Sequence, residues 1–537
     1  MWQISCTYPM HKYNKMKKFT ITILIFFTII TNPSAQTVTG PDGESFSARI
    51  VADKLSDAWE VTYGPDNFLW ITEAKGYKIS RINTTTGEKI TLLDLSDKRE
   101  FPRYDKIPDE EDGGKPWPQG GLMGMALHPQ LLTGKPFVYL SYLYHYAGMK
   151  DTGKGNLPNF GGFIFTTKIV RYEYDATAQK LVRETVICDT IPGSSDYNSG
   201  RLLIAPVNGT DFLFYSVGDM GAGQFENGGR PNYAQDIDRY EGKVLRFSLE
   251  PTQDNNQNGS WIPKDNPFNG QRQSAVWSYG HRNPQGLIYG VINGTGRIYS
   301  SEHGPYGDDE INIIEKGKNY GHPLIIGYND NNYNGFAASV SDRSSLPGQW
   351  HTTYPFIDNE NNNAAKMGAA FRGPIKSFNP ADTTLLSSIF SRTVIGNKEG
   401  VDWKAEAPSS ISVYTSNTIP GWKNSLLIPT LKSGKLIRLK LNNSGNGITG
   451  DTLSYFKGKA RYRDIAISPD GSKIYLAVDS SSTSSGPSEQ NGTGTNYNGC
   501  IIEFTYQKGG KNPATTERQK FPAKFRTKNA AMVSGKK

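Results

Sequence analysis

Short runs of apolar and aromatic residues, bounded by turns rich in Gly, Pro, Asn or Asp, recur along the chain, and long apolar stripes at 3.6-residue spacing are scarce. Six times such a turn leads into such a run: at 64–71 (Gly-Pro-Asp-Asn-Phe-Leu-Trp-Ile), 128–141, 205–215, 290–299, 419–428 and 468–476. Further strand-like runs follow at 78–82, 169–174, 243–247 and 435–439. A unit of several antiparallel strands repeated radially closes on itself and leaves few exposed edges. The pattern therefore predicts an all-β chain folded as a six-bladed β-propeller. Two stretches, 99–118 and 328–400, are polar, rich in Gly, Asn and Pro and without a convincing period. They are expected to be long functional loops over one end of the central channel.

Composition agrees with this division of the core. A chain of 537 residues is too long for one ordinary core, and Gly 57, Tyr 29 and Phe 24 suit short strands joined by tight turns. The formal charge of +8 sits at the ends. Residues 508–537 hold nine Lys/Arg and one Glu, residues 1–36 hold four Lys and no acid, and the body from 37 to 507 carries a net −4. A nucleic-acid groove on the body is not expected. The tail, poor in apolar residues, is expected to stay solvated.

At the other end, Lys12, Lys15, Lys17 and Lys18 precede the apolar run 19–30, and Asn-Pro-Ser-Ala-Gln at 32–36 offers small residues for cleavage. This reads as a secretory signal, too short to span a bilayer, on an exported protein that is periplasmic or extracellular and has no membrane span. Met16-Lys-Lys-Phe reads as an alternative start, which would make residues 1–15 an upstream artefact. Only Cys188 and Cys500 remain after cleavage. They could form one bridge or stay as inert thiols, and in either case packing must hold the fold.

The chemistry gathers in three places. Tyr-Gly-His-Arg-Asn-Pro-Gln-Gly at 279–286 sets Arg282 beside Asn283 in a Gly/Pro-bounded turn, which reads either as a rigid polar turn or as a pair facing a ligand. Ser-Glu-His-Gly-Pro-Tyr-Gly-Asp-Asp-Glu follows at 301–310, and Arg-Tyr-Arg-Asp at 461–464. In an extended segment i and i+2 share a face, so Arg461 and Arg463 point the same way. Together these residues predict a basic pocket.

Beside these motifs stand Pro-Gln-Gly-Gly-Leu-Met-Gly-Met-Ala-Leu-His-Pro (118–129), Ser-Gly-Arg-Leu (199–202), Gly-Asp-Met-Gly (218–221), Ile-Pro-Lys-Asp-Asn-Pro (262–267) and Ala-Pro-Ser-Ser (407–410). In this order they resemble the soluble quinoprotein glucose dehydrogenases, the glucose/sorbosone dehydrogenase family, over residues 45 to 506. The resemblance implies a six-bladed propeller that holds pyrroloquinoline quinone (PQQ) and calcium and oxidises the anomeric hydroxyl of aldoses. It implies that Arg282, Asn283, Lys432, Arg461 and Arg463 bind PQQ, a tricarboxylate that needs fixed cations and directional donors. Gly304 and Pro305 would give carbonyls to the cofactor's calcium, and Asp309, Glu310, Tyr320, Ile326, Tyr328 and Asp330 would form structural calcium sites. Gln119, Gln224 and Trp403 would face the substrate.

The chain departs from the family where a base is needed. The family's His in Asp-His-x-Ser-Gly-Arg is Tyr197, within Asp196-Tyr-Asn-Ser-Gly-Arg201. A phenol near pKa 10 costs about 4 kcal/mol to ionise at neutral pH, and loss of a general base typically removes about 10² to 10⁴ in rate. His303 replaces a family Gln, Gly400 a Tyr and Ala405 a Thr. Asp196, Tyr197 and His303 are the candidate catalytic residues, with His303 as base, Tyr197 acidified by neighbouring arginines, and absence of catalysis all open. Two classes follow: a dehydrogenase of a sugar or polyol using an electron acceptor of unspecified class, or a propeller that binds carbohydrate or a partner protein without turnover.

Overall fold

The computed structural model describes residues 36–100, 118–152, 158–224, 227–251, 260–270, 273–397, 401–458, 460–479 and 497–509. The expected signal up to residue 35, most of the loop 99–118, Gly400 and the tail from residue 510 lie outside them. The strands begin with β1 (Gln36–Thr39) and β2 (Ser45–Ala52) and then fall into blades. The first is β3 to β6 (Ala58–Tyr63, Phe68–Glu73, Lys78–Asn83, Lys89–Asp94). The second is β7 to β10 (Leu122–Leu127, Phe137–Thr152, Pro158–Asp175, Lys180–Ser194). The third is β11 to β14 (Ser199–Val207, Thr210–Val217, Lys243–Ser248, Val276–Tyr279) and the fourth β15 to β18 (Pro284–Ile292, Thr295–Glu302, Asp309–Ile314, Lys376–Phe378). The fifth is β19 to β22 (Ser412–Tyr414, Ser425–Pro429, Leu436–Leu441, Ile448–Tyr455). In the sixth, β23 to β25 (Tyr462–Ile467, Lys473–Val478, Ile501–Tyr506) are completed by β2 and β1 in the order β1-β2-β25-β24-β23. The chain is a six-bladed β-propeller.

Each of the six turn-and-strand recurrences is the hairpin between the first and second strands of one blade, and the runs at 78–82, 169–174, 243–247 and 435–439 are third strands. Middle strands are buried almost throughout, as in β4, because blades stack on both of their faces. Outer strands such as β22 meet solvent along Thr449–Thr452, which explains their polar sequence.

The ring is closed where β2 pairs with β25. Phe46 pairs in register with Tyr506, is fully buried, and packs its ring among Trp422, Tyr455, Phe456 and Tyr506. Next to it, Glu44 Oε1 accepts from Trp422 Nε1 (2.8 Å) and Tyr455 Oη (2.8 Å), tying the β1–β2 turn to the fifth blade.

One expectation needs correction, and one open alternative is resolved. The stretch 328–400 is not all loop: it contains α1 (Glu360–Met367) and α2 (Thr383–Val394). Asn359 and Asp382 cap their N-termini by accepting from the amides of Asn362 and Leu385. In α2 the buried face is Leu386, Ile389, Phe390 and Thr393, one helical stripe, packed with Tyr306, Phe336 and Trp350. Cys188 is half-buried on β10 and Cys500 is buried beside β25, in different blades; both thiols are free.

The innermost strands line a channel cavity of about 500 Å³. In its lining Arg201 meets Glu60 Oε2 and, at 3.2 Å, Asp464 Oδ1. Burial pushes the Glu60 carboxyl up to about 8; Arg201 opposes this and Asp464 adds to it. Among the described residues no helix is long and apolar enough to cross a membrane.

Phe46→Ala is expected to lower stability by about 3–5 kcal/mol, the cost of emptying a buried phenylalanine site. Urea unfolding checks this, and a loss below about 1 kcal/mol would show that the ring closes without that contact.

Candidate active site

The site ends of β11, β15 and β23, with the loops beside them, converge over the channel. Gly280 (φ 76°) turns the chain out of β14, and a Cβ there would fall 2.2 Å from Asn319 Oδ1, so glycine is required. The turn delivers Arg282, buried, whose Nη1 donates to the carbonyls of His303 (3.2 Å) and Gly304 (2.9 Å). Its Nη2 donates to Tyr197 Oη (2.8 Å) and Gln224 Oε1 (3.1 Å), and the guanidinium lies 4.4 Å over the Tyr197 ring. Asn283 Oδ1 accepts from Ser199 Oγ (3.0 Å) and Gln285 Nε2 (2.9 Å).

Arg461 and Arg463 do share a face, meeting one carboxylate. Arg461 Nε donates to Asp479 Oδ1 (2.7 Å) and Arg463 Nε to Asp479 Oδ2 (2.9 Å). Burial alone would raise Asp479, but the two guanidiniums outweigh it and hold the carboxyl down at about 2. Arg463 Nη1 also reaches Gln285 Oε1 (3.2 Å). Lys432 Nζ donates to the Trp403 carbonyl (3.0 Å) and lies 5.0 Å over the Trp403 ring, which stands edge-on to Tyr306. Among the described residues neither Arg282 nor Lys432 has a carboxylate at ion-pair distance; carbonyl, phenol and amide oxygens hold them instead. Arg282 Nε and Gln224 Nε2 are buried donors with no acceptor among the described residues.

Asp196 and Tyr197 are half-buried. Tyr197 sits at φ 49°, a conformation bulky residues rarely adopt, and its amide donates to Gln119 Oε1 (2.8 Å). Gln119 Nε2 donates to Asp196 Oδ1 (3.2 Å). Burial pushes the Asp196 carboxyl up to about 7 against the pull of Arg282, with Asp219 adding to the rise. Tyr197 is not acidified by its arginine: burial carries the phenol up to about 12, Arg282 only partly opposing it.

His303 cannot readily take a proton. Its Nδ1 faces Asn283 Nδ2 (3.3 Å) and its Nε2 the Pro408 carbonyl (3.0 Å), which fixes the neutral Nε2–H tautomer. Burial and then the charges of Arg282 and Arg463 push it down to about 3.

The residues singled out for calcium are oxygen-rich. Asp309 accepts from the amides of Gly304, Glu406 and Ala407, and Glu310 from Gly327 N and Asn312 Nδ2. Tyr320 Oη lies between Ile313 O and Glu315 N, Ile326 N donates to Glu360, and Asp330 N to the Tyr328 carbonyl. Burial raises Asp308 and Glu360 to about 7 and Glu310 well above its usual range, and mutual repulsion among Asp308, Asp330 and these acids adds to it. No three His, Cys, Asp or Glu side chains close on one point among the described residues, so a cation here would need backbone carbonyls as well. Pro305 is buried beside Gly304, whose carbonyl is already held by Arg282. Ala405, where the family has a Thr, is half-buried.

Sequence reasoning passed over Asp479, which stands in no motif and is brought to Arg461 and Arg463 by the β23–β24 pairing. Asp219 and Gln285 lay inside quoted motifs but were given no role. Asp219 Oδ2 accepts from Asn232 Nδ2 (3.0 Å), Tyr354 Oη (3.1 Å) and His322 Nε2 (2.9 Å).

Fold and pocket thus define a propeller whose channel mouth is a cationic, donor-rich cup. The chain belongs to the glucose/sorbosone dehydrogenase family, whose model matches residues 55–358 and 400–485. It is 33% identical over 488 residues to quinoprotein glucose dehydrogenase B of Acinetobacter calcoaceticus, covering 86% of this chain and 92% of that one. It is 28% identical over 444 residues to the aldose sugar dehydrogenase YliI of Escherichia coli, covering 81% and 91%. The apo crystal structure of the soluble aldose sugar dehydrogenase of Escherichia coli superposes with a TM-score of 0.54 at 24% identity, over 86% of this chain and all of that one.

At pH 7 the ring nitrogens of His303 are expected to give the NMR signature of a neutral Nε2–H imidazole. An imidazolium or the Nδ1–H form would contradict this geometry.

Proposed function

We propose that this chain oxidises the anomeric hydroxyl of an aldose, or a related polyol hydroxyl, with PQQ and calcium bound over the channel. The observation that carries the reading is the charge of the cup. Arg282 and Lys432, which meet no carboxylate at ion-pair distance among the described residues, stand with Arg461 and Arg463 around one mouth, and the buried Arg282 Nε and Gln224 Nε2, with no acceptor among those residues, call for one. A planar tricarboxylate with quinone oxygens meets both demands. The name of the Acinetobacter relative, a quinoprotein glucose dehydrogenase, agrees. Bound PQQ supplies a two-electron quinone acceptor, and calcium, held by carbonyls such as those of Gly304 and Pro305, supplies Lewis acidity. Structural calcium at Asp309, Glu310, Tyr320, Ile326, Tyr328 and Asp330 suits the mutually repelling acids there.

The chain's own residues then divide the work. Trp403 offers a ring face to the sugar, and Gln119 and Gln224 offer amides to its hydroxyls. As the substrate C–H leaves with its electron pair, the hydroxyl proton passes to Asp196, whose carboxyl at about 7 is matched to neutral pH. Tyr197 keeps its proton and holds Arg282; His303 holds Asn283. The leader-like residues 12–36 support export to the periplasm or exterior.

A second reading, a carbohydrate-binding propeller without turnover, is favoured by Tyr197, a phenol at about 12 where the family has its imidazole. Dye-linked oxidation of an aldose and polyol panel by residues 37–537 loaded with PQQ and calcium separates the two. Asp196→Asn is expected to lose about 10² to 10⁴ in kcat, and Tyr197→Phe much less. Because Asp196 accepts the proton only when ionised, kcat/KM rises with pH through about 7. Undiminished turnover by Asp196→Asn would remove it as the base. A silent wild type with an active Tyr197→His would select the second reading.

A further inference from the structure

Beneath the Arg282–Asn283 turn lies a hydrogen-bonded chain that none of the proposed chemistry uses. Ser278 Oγ is 2.9 Å from His281 Nε2, and His281 Nδ1 is 3.0 Å from Glu302 Oε2. Atom for atom this is the Ser-His-acid connectivity of a hydrolase. Ser278 and His281 are fully buried and Glu302 is 3% exposed. The imidazole is covered by the Tyr320 ring, stacked at 4.5 Å. No substrate reaches the serine, so the arrangement has another use.

The far end of the chain shows it. Glu302 Oε1 accepts from the backbone amides of both Arg282 and Asn283, the latter at 3.3 Å. One carboxylate thus grips the two consecutive peptide units from which the cationic and amide side chains rise into the cup. Its other oxygen is held by His281, which belongs to the same turn. A carboxylate only accepts, so Nδ1 carries a hydrogen toward Glu302, and Ser278 fixes the far edge of the ring. Glu302 ends β16 and Ser278 lies in β14, so the relay also clamps the third blade to the fourth.

We propose that Ser278, His281 and Glu302 form a buried positioning relay that sets the orientation of Arg282 and Asn283 for a polyanionic cofactor. The proposal rests on the PQQ reading of the cup. It assigns to His281, within the 279–286 motif, the task of orienting Glu302; His281 and Ser278 are both fully buried and act through Glu302 rather than on the cofactor.

The decisive feature is which edge of the imidazole matters. Asparagine at 281 places an amide N–H where Nδ1–H stood and keeps the bond to Glu302. Glutamine reaches the Nε2 position instead, keeps Ser278 and leaves Glu302 without its donor. Apo-protein variants His281→Asn and His281→Gln are titrated with PQQ in the presence of calcium, read by the cofactor's visible absorbance. Circular-dichroism melts of each variant confirm folding. The expected result is affinity close to wild type for Asn and a loss of about tenfold or more for Gln. Glu302→Gln, which faces His281 with an amide N–H, is expected to weaken binding as His281→Gln does. Equal PQQ affinity of the Asn and Gln variants, with the wild type binding, overturns the relay alone. Failure of the wild type to bind PQQ overturns the cofactor reading and the relay with it.

Discussion

A buried guanidinium without a carboxylate partner is costly to hold, because its hydration is lost and no ion pair replaces it. Arg282 is in that position, and much of the site is the means of keeping it there. Two carbonyls, a phenol oxygen and an amide oxygen accept its hydrogens, and the Tyr197 ring lies against its face. Each acceptor is itself fixed from another quarter. Gln224 rides on a loop pinned by Thr352 Oγ1 to the Gly223 carbonyl (2.7 Å). His303 is held by Pro408, Gly304 by Asp309 and Tyr197 by Gln119. Loops from four blades are thereby coupled through one side chain, and the orientation of the cup becomes a property of the whole ring rather than of one loop.

The cup stays positive because the channel below it does not share its acids. Arg201 sits between Glu60 and Asp464, so that layer has a carboxylate to spare, and burial lets Glu60 carry a proton instead of reaching for another cation. Gln285 joins the layers: its carbonyl accepts from Arg201 Nε (3.0 Å), while its side chain contacts Asn283 and Arg463 above. Had Glu60 or Asp464 faced the mouth, they would have neutralised the arginines that a tricarboxylate needs. Separating the two layers along the channel axis is the electrostatic service of the inner strands.

The fold was legible because its signal is local. A turn followed by an aromatic strand, six times over, needs only neighbouring residues to be read, and each instance proved to be the inner hairpin of a blade. The cationic residues were legible for the same reason, being packed into short motifs. What escaped was set by contacts distant in sequence. Asp479 meets its arginines across a strand pairing, and the positions of Asp196 and His303 on the pKa scale depend on burial by several blades. The helix α2 escaped differently. Its stripe of Leu386, Ile389, Phe390 and Thr393 is present in the sequence, but it is short and interrupted by Ser388 and Ser391, and it lies in a stretch dominated by Gly, Asn and Pro.

Exchanging an imidazole for a phenol at position 197 changes more than the proton acceptor. An imidazole there would carry its own charge on protonation and would be repelled by Arg282. A phenol instead accepts from Arg282 and offers it a π face, so the guanidinium is better held, while the phenol, already carried up by burial, keeps its proton. The firmer hold on Arg282 and the phenol's retained proton therefore have one cause. On the proposed reading, the displaced acid–base role falls to the next carboxylate along the chain, Asp196, which the same burial has already moved toward neutrality and which Gln119 links to Tyr197 through one amide side chain. That is a redistribution of roles within the cup, and it needs no change in the four cations around it.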